Sequence, residues 1–322
     1  MRFGYALSSE EHPPRALVEN AARAERAGFT FALISDHFHP WIDEQGSSPF
    51  VWSVLGGISC VTEELVVGTG VTCPMVRTHP AVIAQAAATV ASMMPGRFFL
   101  GVGTGENLNE HITGQRWPSI DERLEMLEEA VGVIRELWTG TDVTFRGRYY
   151  TVDHARIYTR PASAPPIHMA ASGPHATEVA SRIADGIIST APDKELVDDF
   201  ITHAGPDRPR FGMLHVCYAA TVEDAKRTAH RWWPNAALGG ELGQELPFPR
   251  HFEQAAKNVS PDDVAEVVTC GPDPDEHLAA LQRYIDAGYD HVYVHQIGPE
   301  QEGFFSFYEE RILPELGERV AA

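Results

Sequence analysis

The chain begins RFGYALSSEEHPPRALVENAARAERAGFTFALISDHFHPW, residues 2–41: an apolar run, an amphipathic stretch of helical length, and a second apolar run. Short apolar runs separated by helix-length amphipathic segments are the signature of parallel strands joined by crossover helices. Pro14 suits the first turn of the intervening helix and Gly28 its C-terminal stop. The pattern repeats along the chain. RFGYAL (2–7), TFALIS (30–35), LVVGTGVT (65–72), RFFLGVG (97–103), PIHMAA (166–171), DGIIS (185–189), RFGMLHVCYA (210–219) and HVYVHQ (291–296) make eight strand candidates. Helices are expected from about Pro80 to Met94 and over IDERLEMLEEAVGVIRELW (120–138). No linker or compositional break divides these units, which predicts one (β/α)8 TIM barrel over residues 1–322 rather than a doubly wound sheet. Insertions are expected at about 104–118, 140–163 and 234–260, the second carrying a small hairpin, TFRGRYYTV (144–152).

At 322 residues and 43% hydrophobic content the chain supports a large core. Its formal net charge of −20 repels phosphate backbones and anionic headgroups, which argues against nucleic acid and membrane surfaces as partners. Cys60, Cys73, Cys217 and Cys270 are far apart and form no C-x-x-C pair, so they read as reduced core thiols. MRFGYAL runs straight into a strand with no leader pattern, and no segment is apolar for membrane length, so a soluble cytoplasmic protein is expected.

In such a barrel the chemistry sits where strands end. Strand two ends in SDHFHPW (35–41), where Asp36 could orient His37 as a proton acceptor beside the apolar wall of Trp41. The same residues also read as a capped loop over a core indole. Strand four ends in GVGTGENLNE (101–110), whose glycines permit close backbone approach to a flat ligand beside Thr104, Glu106 and Asn109; a plain glycine-rich turn is the other reading. Its likeness to a dinucleotide fingerprint is discounted, because the sixth position is Glu106 and the Rossmann context is missing. Ser172 and Gly173 precede Pro174 at a helix start, where free N–H groups favour an anion such as a phosphodiester, or form an ordinary N-cap. His37 and His39 at a strand end, with His168, His215 and His295 in strands, keep a metal-dependent barrel hydrolase in play, although the expected site holds no metal.

SDHFHPW, VVGTGVTCPMVRTHPAVIAQA, RFFLGVGTGENLNE and AASGPHATEVASRIADG together resemble the luciferase-like family that uses coenzyme F420, closest to its glucose-6-phosphate dehydrogenase branch. The resemblance covers nearly the whole chain and implies an F420-dependent dehydrogenase or reductase acting on CH–OH groups, with hydride passing to or from C5 of the deazaflavin. Carried over residue by residue, it makes His37 the acceptor of the substrate proton and sets Trp41 beside the reacting carbon. Glu106 and Glu10 become active-site acids. Asp36, Thr104 and Asn109 would contact the ring, Gly70–Val71 would be a cis peptide against it, and Ser172 and Gly173 would hold the cofactor phosphate. A homodimer is also implied.

The sugar-phosphate branch clamps its substrate with a threonine, two lysines and an arginine. Here Thr190 is kept, the nearby lysine is displaced to Lys194, and Gln254 and Val267 stand at the other two positions. Lost charge-assisted hydrogen bonds, each about 1.5–3 kcal/mol, argue against glucose-6-phosphate and for a neutral sugar, secondary alcohol or carbonyl compound. Arg250 or Lys257 could rebuild the clamp and restore a sugar-6-phosphate dehydrogenase. FMN is the alternative cofactor, for a monooxygenase on the same scaffold, and a deazaflavin-binding protein without chemistry is a third class.

Overall fold

Residues 2–7 form a strand because three of the four residues Gly4–Leu7 are apolar and all four are buried; the run lies between two parallel neighbours, which bury it on both faces. The computed structural model of the protein describes residues 1–316. Eleven strands appear in chain order: β1 Arg2–Leu7, β2 Phe31–Ile34, β3 Val66–Thr69, β4 Phe98–Val102, β5 Val143–Arg146, β6 Thr151–Ala155, β7 Ile167–Ala170, β8 Gly186–Ser189, β9 Arg210–Cys217, β10 Thr269–Cys270 and β11 His291–Gln296. β1, β2, β3, β4, β7, β8, β9 and β11 pair in parallel around a closed ring, β8 joining β9 and β11 returning to β1. These are the eight expected strands, closed into the expected barrel.

Alternation along each strand separates two apolar layers. Phe31 and Leu33 point into the barrel with Ala6, Phe99, Ile188, Phe211 and Tyr293. Ala32 and Ile34 point outward into the larger layer packed under the helices. Room for the inward rings comes from facing glycines: a Cβ on Gly4 would lie 2.5 Å from Phe31, and one on Gly68 would lie 2.0 Å from Phe99. His168 shares this inner layer, 4.9 Å from both Phe99 and Phe211, and burial pushes its pKa down to about 4.

The helices Pro14–Arg26, Pro80–Met93 and Ile120–Trp138 stand where periodicity placed them. The hairpin β5–β6 is antiparallel and ends three residues later than expected, at Ala155. β10 was not expected: two residues beside Val216 and Cys217 of β9 are too few to carry a period. The segment from 234 to 260 folds into short helices, Leu242–Glu245 and Pro249–Ala255, with 3-10 turns. No helix among the described residues is long and apolar enough to cross a membrane.

Candidate active site

The C-terminal strand ends enclose a cavity of about 860 Å³. Glu10, His37, Trp41, Gly70, Val71, Thr104, Glu106, Ser172, Gly173 and Thr190 all line it, although they come from six separate loops. Each loop leaves the same end of a parallel barrel, and that shared direction brings them together.

His37 is buried at the wall, its ring 5.1 Å from that of Trp41. Its Nδ1 lies 3.2 Å from the carbonyl oxygen of His39, which can only accept, so Nδ1 carries the ring hydrogen of the neutral imidazole. Nε2 is then the nitrogen open to a proton, and Glu10 Oε1 stands 3.4 Å from it. Glu10 is itself buried and fixed: its Oε2 accepts from Ser35 Oγ at 2.6 Å and from Ser8 Oγ at 3.1 Å. The acid comes from the loop after β1 and the imidazole from the loop after β2, strands paired through Leu7 and Ile34.

Asp36 does not orient His37, and it does not line the cavity. Its carboxylate is occupied, accepting from Thr72 Oγ1 at 2.8 Å and from Arg77 Nη2 at 2.9 Å. Arg77 also donates from its backbone N to Glu110 at 2.7 Å, and burial raises the Glu110 carboxyl to about 7. Asn109 likewise stays behind the wall. Its Oδ1 accepts from the backbone N–H groups of Phe38 and His39, at 2.8 and 3.1 Å, and its Nδ2 donates to Glu106 at 3.2 Å. Asn109 therefore braces the His37 loop against the Glu106 loop. On the substrate side only Thr190 faces the cavity. Lys194 is exposed and paired with Asp198 at 3.0 Å, Gln254 is exposed, and Val267 is 52% exposed. Arg250 and Lys257 also lie outside. Gln254 and Val267 thus say nothing about a substrate phosphate, and the sequence argument against glucose-6-phosphate falls with them.

Gly70–Val71 is a cis peptide and lines the cavity floor. At the far side the helix Pro174–Ile183 starts with no side-chain cap at Gly173, leaving its first N–H groups facing the cavity. An added Cβ at Gly173 would meet nothing within 4 Å, so the backbone there is open to a ligand.

Sequence reading missed Arg123, Glu11 and the pairing of two histidines. Arg123 lines the cavity while 1% exposed, and it donates to Glu245 at 3.1 Å and Gln244 at 2.7 Å, clasping the 234–260 segment across the mouth. It was legible as a base on the apolar stripe of its helix, with Leu127, Ala130 and Ile134. His215 and His295 are register partners on β9 and β11 with Nδ1 atoms 2.9 Å apart, and His295 Nε2 lies 2.7 Å from Glu11. The inward parity set by Phe211 and Tyr293 would have placed both rings in the barrel mouth. Among the described residues the strand-end histidines meet each other or separate layers rather than gather as a metal ligand set.

A sequence profile of the luciferase-like monooxygenase family matches residues 1–291. An F420-dependent glucose-6-phosphate dehydrogenase of Microbacterium testaceum is 40% identical over 333 residues, covering 100% of this chain and 99% of that protein. One of the same name from Nakamurella multipartita is 40% identical over 327 residues, covering 98% and 96%. The solved structure of an F420-dependent secondary alcohol dehydrogenase, in complex with an F420-acetone adduct, superposes with a TM-score of 0.90 at 29% identity, covering 97% of this chain and 98% of that one.

Proposed function

The chain belongs to the luciferase-like monooxygenase family, and from that premise we propose that it is an F420-dependent oxidoreductase acting on the CH–OH group of an alcohol or sugar. Support comes from relatives of that activity matched over their full length and from the alcohol dehydrogenase whose barrel superposes on this one. One observation carries the reading at the level of chemistry: His37, with Nδ1 tied to a carbonyl, turns Nε2 toward the buried carboxylate of Glu10 at the cavity wall.

The residues present fit a deazaflavin. The cavity volume of about 860 Å³ lies in the ordinary range for cofactor pockets. Leu33, Val71 and Ile188 give it an apolar floor, bare backbone at Gly70, Gly103 and Gly105 suits a flat ring, and the uncapped helix start at Gly173 suits a phosphodiester. When bound, the deazaflavin supplies a carbon, C5, that accepts or returns a hydride. Ser172 and Gly173 would hold the phosphate, while Thr104, Gly70 and Val71 would bound the ring.

In the oxidative direction His37 Nε2 takes the hydroxyl proton as the carbonyl forms, and Glu10 places a counter-charge beside it. Trp41 closes the wall next to His37 and excludes water. Glu106, held by Asn109, faces the same space as a second acid. Thr190 lines the cavity at the end of β8, where it would contact the substrate. Secondary alcohols and sugars, phosphorylated or not, all belong to the substrate class supported here. The same family resemblance supports a homodimer, which sedimentation tests.

The deciding experiment incubates the purified protein with oxidised F420 and 2-propanol, cyclohexanol, glucose or glucose-6-phosphate, and follows loss of the cofactor band at about 420 nm. Turnover of any one supports the reading. Copurified FMN with no F420 consumption would replace it with a flavin-dependent oxygenase.

A further inference from the structure

On the other side of the β1 loop from His37 the cavity carries a second group of polar side chains that the proposed chemistry does not use. Glu11 is fully buried, accepting from Gly298 N at 2.7 Å through Oε1 and facing His295 Nε2 at 2.7 Å through Oε2. Burial opposes its ionisation, yet the His295 contact and the Gly298 N–H hold its carboxyl below the usual carboxylate range. A carboxylate only accepts, so His295 carries its hydrogen on Nε2, and in the neutral ring its Nδ1 accepts from His215 Nδ1 at 2.9 Å. That sequence leaves His215 Nε2 as a lone-pair acceptor with no protein partner among the described residues. Trp233 packs 4.7 Å from the His295 ring and 5.9 Å from the His215 ring. Its indole Nε1 is buried without a partner, as is Asn235 Oδ1, and His215, His295, Trp233 and Asn235 all line the cavity.

Unpaired buried polar atoms are rare in folded proteins, and two of them, Trp233 Nε1 and Asn235 Oδ1, beside the unpartnered Nε2 of half-buried His215 on one cavity wall call for a ligand. We propose that this wall is a second recognition pole, where a hydroxyl of the substrate remote from the reacting carbon donates to His215 Nε2 and accepts from Trp233 Nε1, with His295 and Glu11 as positioning residues. Burial first, and then the neighbouring His295, push the His215 pKa down to about 3, so it meets the substrate as a neutral ring. The charged or titratable groups facing the pair are Glu10, Glu11 and His12 from the loop after β1. Neutral His215 selects a hydrogen-bond donor over an anion at this end. The substrate is then bifunctional, one carbinol reacting and one hydroxyl held. This rests on the oxidoreductase reading for the carbinol end alone.

The test compares cyclohexanol with quinitol, the same ring bearing a second hydroxyl, in wild type, His215→Leu, Trp233→Phe and Glu11→Gln. Steady-state assays with F420 are paired with binding of each alcohol by ligand-observed NMR. The wild type should show a KM about tenfold lower for quinitol, with both histidine-wall variants raising that KM about tenfold and moving kcat less. Glu11→Gln should act in the same direction. Trp233→Phe removes the N–H with little change of shape, so it reads the pole should His215→Leu fail to fold. Turnover without a diol preference overturns the pole and leaves the oxidoreductase reading standing. Preferential quinitol binding that the variants abolish, without turnover of either alcohol, upholds the pole and sinks the other reading. Equal binding of both alcohols to the wild type overturns the pole outright.

Discussion

Glu10 Oε1 lies 3.4 Å from His37 Nε2, while Asp36, the sequence neighbour of that histidine, is turned away and bound to Arg77. The acid that serves the imidazole therefore arrives from the loop after a neighbouring strand. Glu10→Gln keeps the shape and removes the counter-charge, and should lower kcat/KM by about 100-fold. The loss should sit mainly in kcat, with F420 affinity nearly unchanged in a fluorescence titration. Asp36→Asn should leave kcat much closer to wild type, and equal kcat losses in the two variants would remove the distinction.

Asn109 holds two backbone N–H groups of the His37 loop through one oxygen. Asn109→Ala orphans both and should cost about 2 kcal/mol of stability, read from the urea midpoint. The loop carries His37 and Trp41, so activity should fall alongside. An unchanged midpoint would show that water replaces the amide without loss.

Gly173 opens the helix start toward the cavity, and space around its Cβ position means that Gly173→Asp folds. A carboxylate there competes for the free N–H groups and repels a phosphodiester, so F420 affinity should drop about tenfold or more. Raising the salt should narrow the gap. Identical dissociation constants for variant and wild type would place the cofactor phosphate elsewhere.

Glu110 holds its proton to about pH 7 in the folded state, against 4.5 as its ordinary value, because it is buried beneath Arg77. Between these values the folded state binds more protons at this group than the unfolded chain, so stability falls as pH rises across the window. Glu110→Gln should remove about 2 kcal/mol of that fall, measured as the difference in unfolding free energy between pH 5 and pH 7.5 for the two proteins. Parallel curves would mean that the carboxyl titrates normally.

The barrel was legible because parallel strands buried on both faces are rich in apolar residues, and YAL of RFGYAL, FALI of TFALIS and VYV of HVYVHQ stand out between amphipathic stretches of helical length. Loop ends were legible for the same reason: wherever such a run broke into SSEE, SDHFHPW or GTGE, the chain had reached the mouth. Lys194 and Gln254 lie on helices and Val267 in the turn after the helix Pro261–Ala265, and they were misplaced because sequence position there says little about which way a side chain faces. Arg123 escaped notice because a base on an amphipathic helix normally reads as solvent-facing.

Sequence alone determined the architecture and which strand ends open on its mouth, since both follow from local periodicity and from the one direction shared by parallel strands. Tertiary structure decided the partnerships. Consecutive side chains leave the backbone in different directions, so Asp36 and His37 part company, and Glu10 and Glu11, in the turn after β1, face different histidines. Neighbouring parallel strands bring the ends of distant segments within hydrogen-bonding reach, and only closure of the barrel fixes which carboxylate meets which ring.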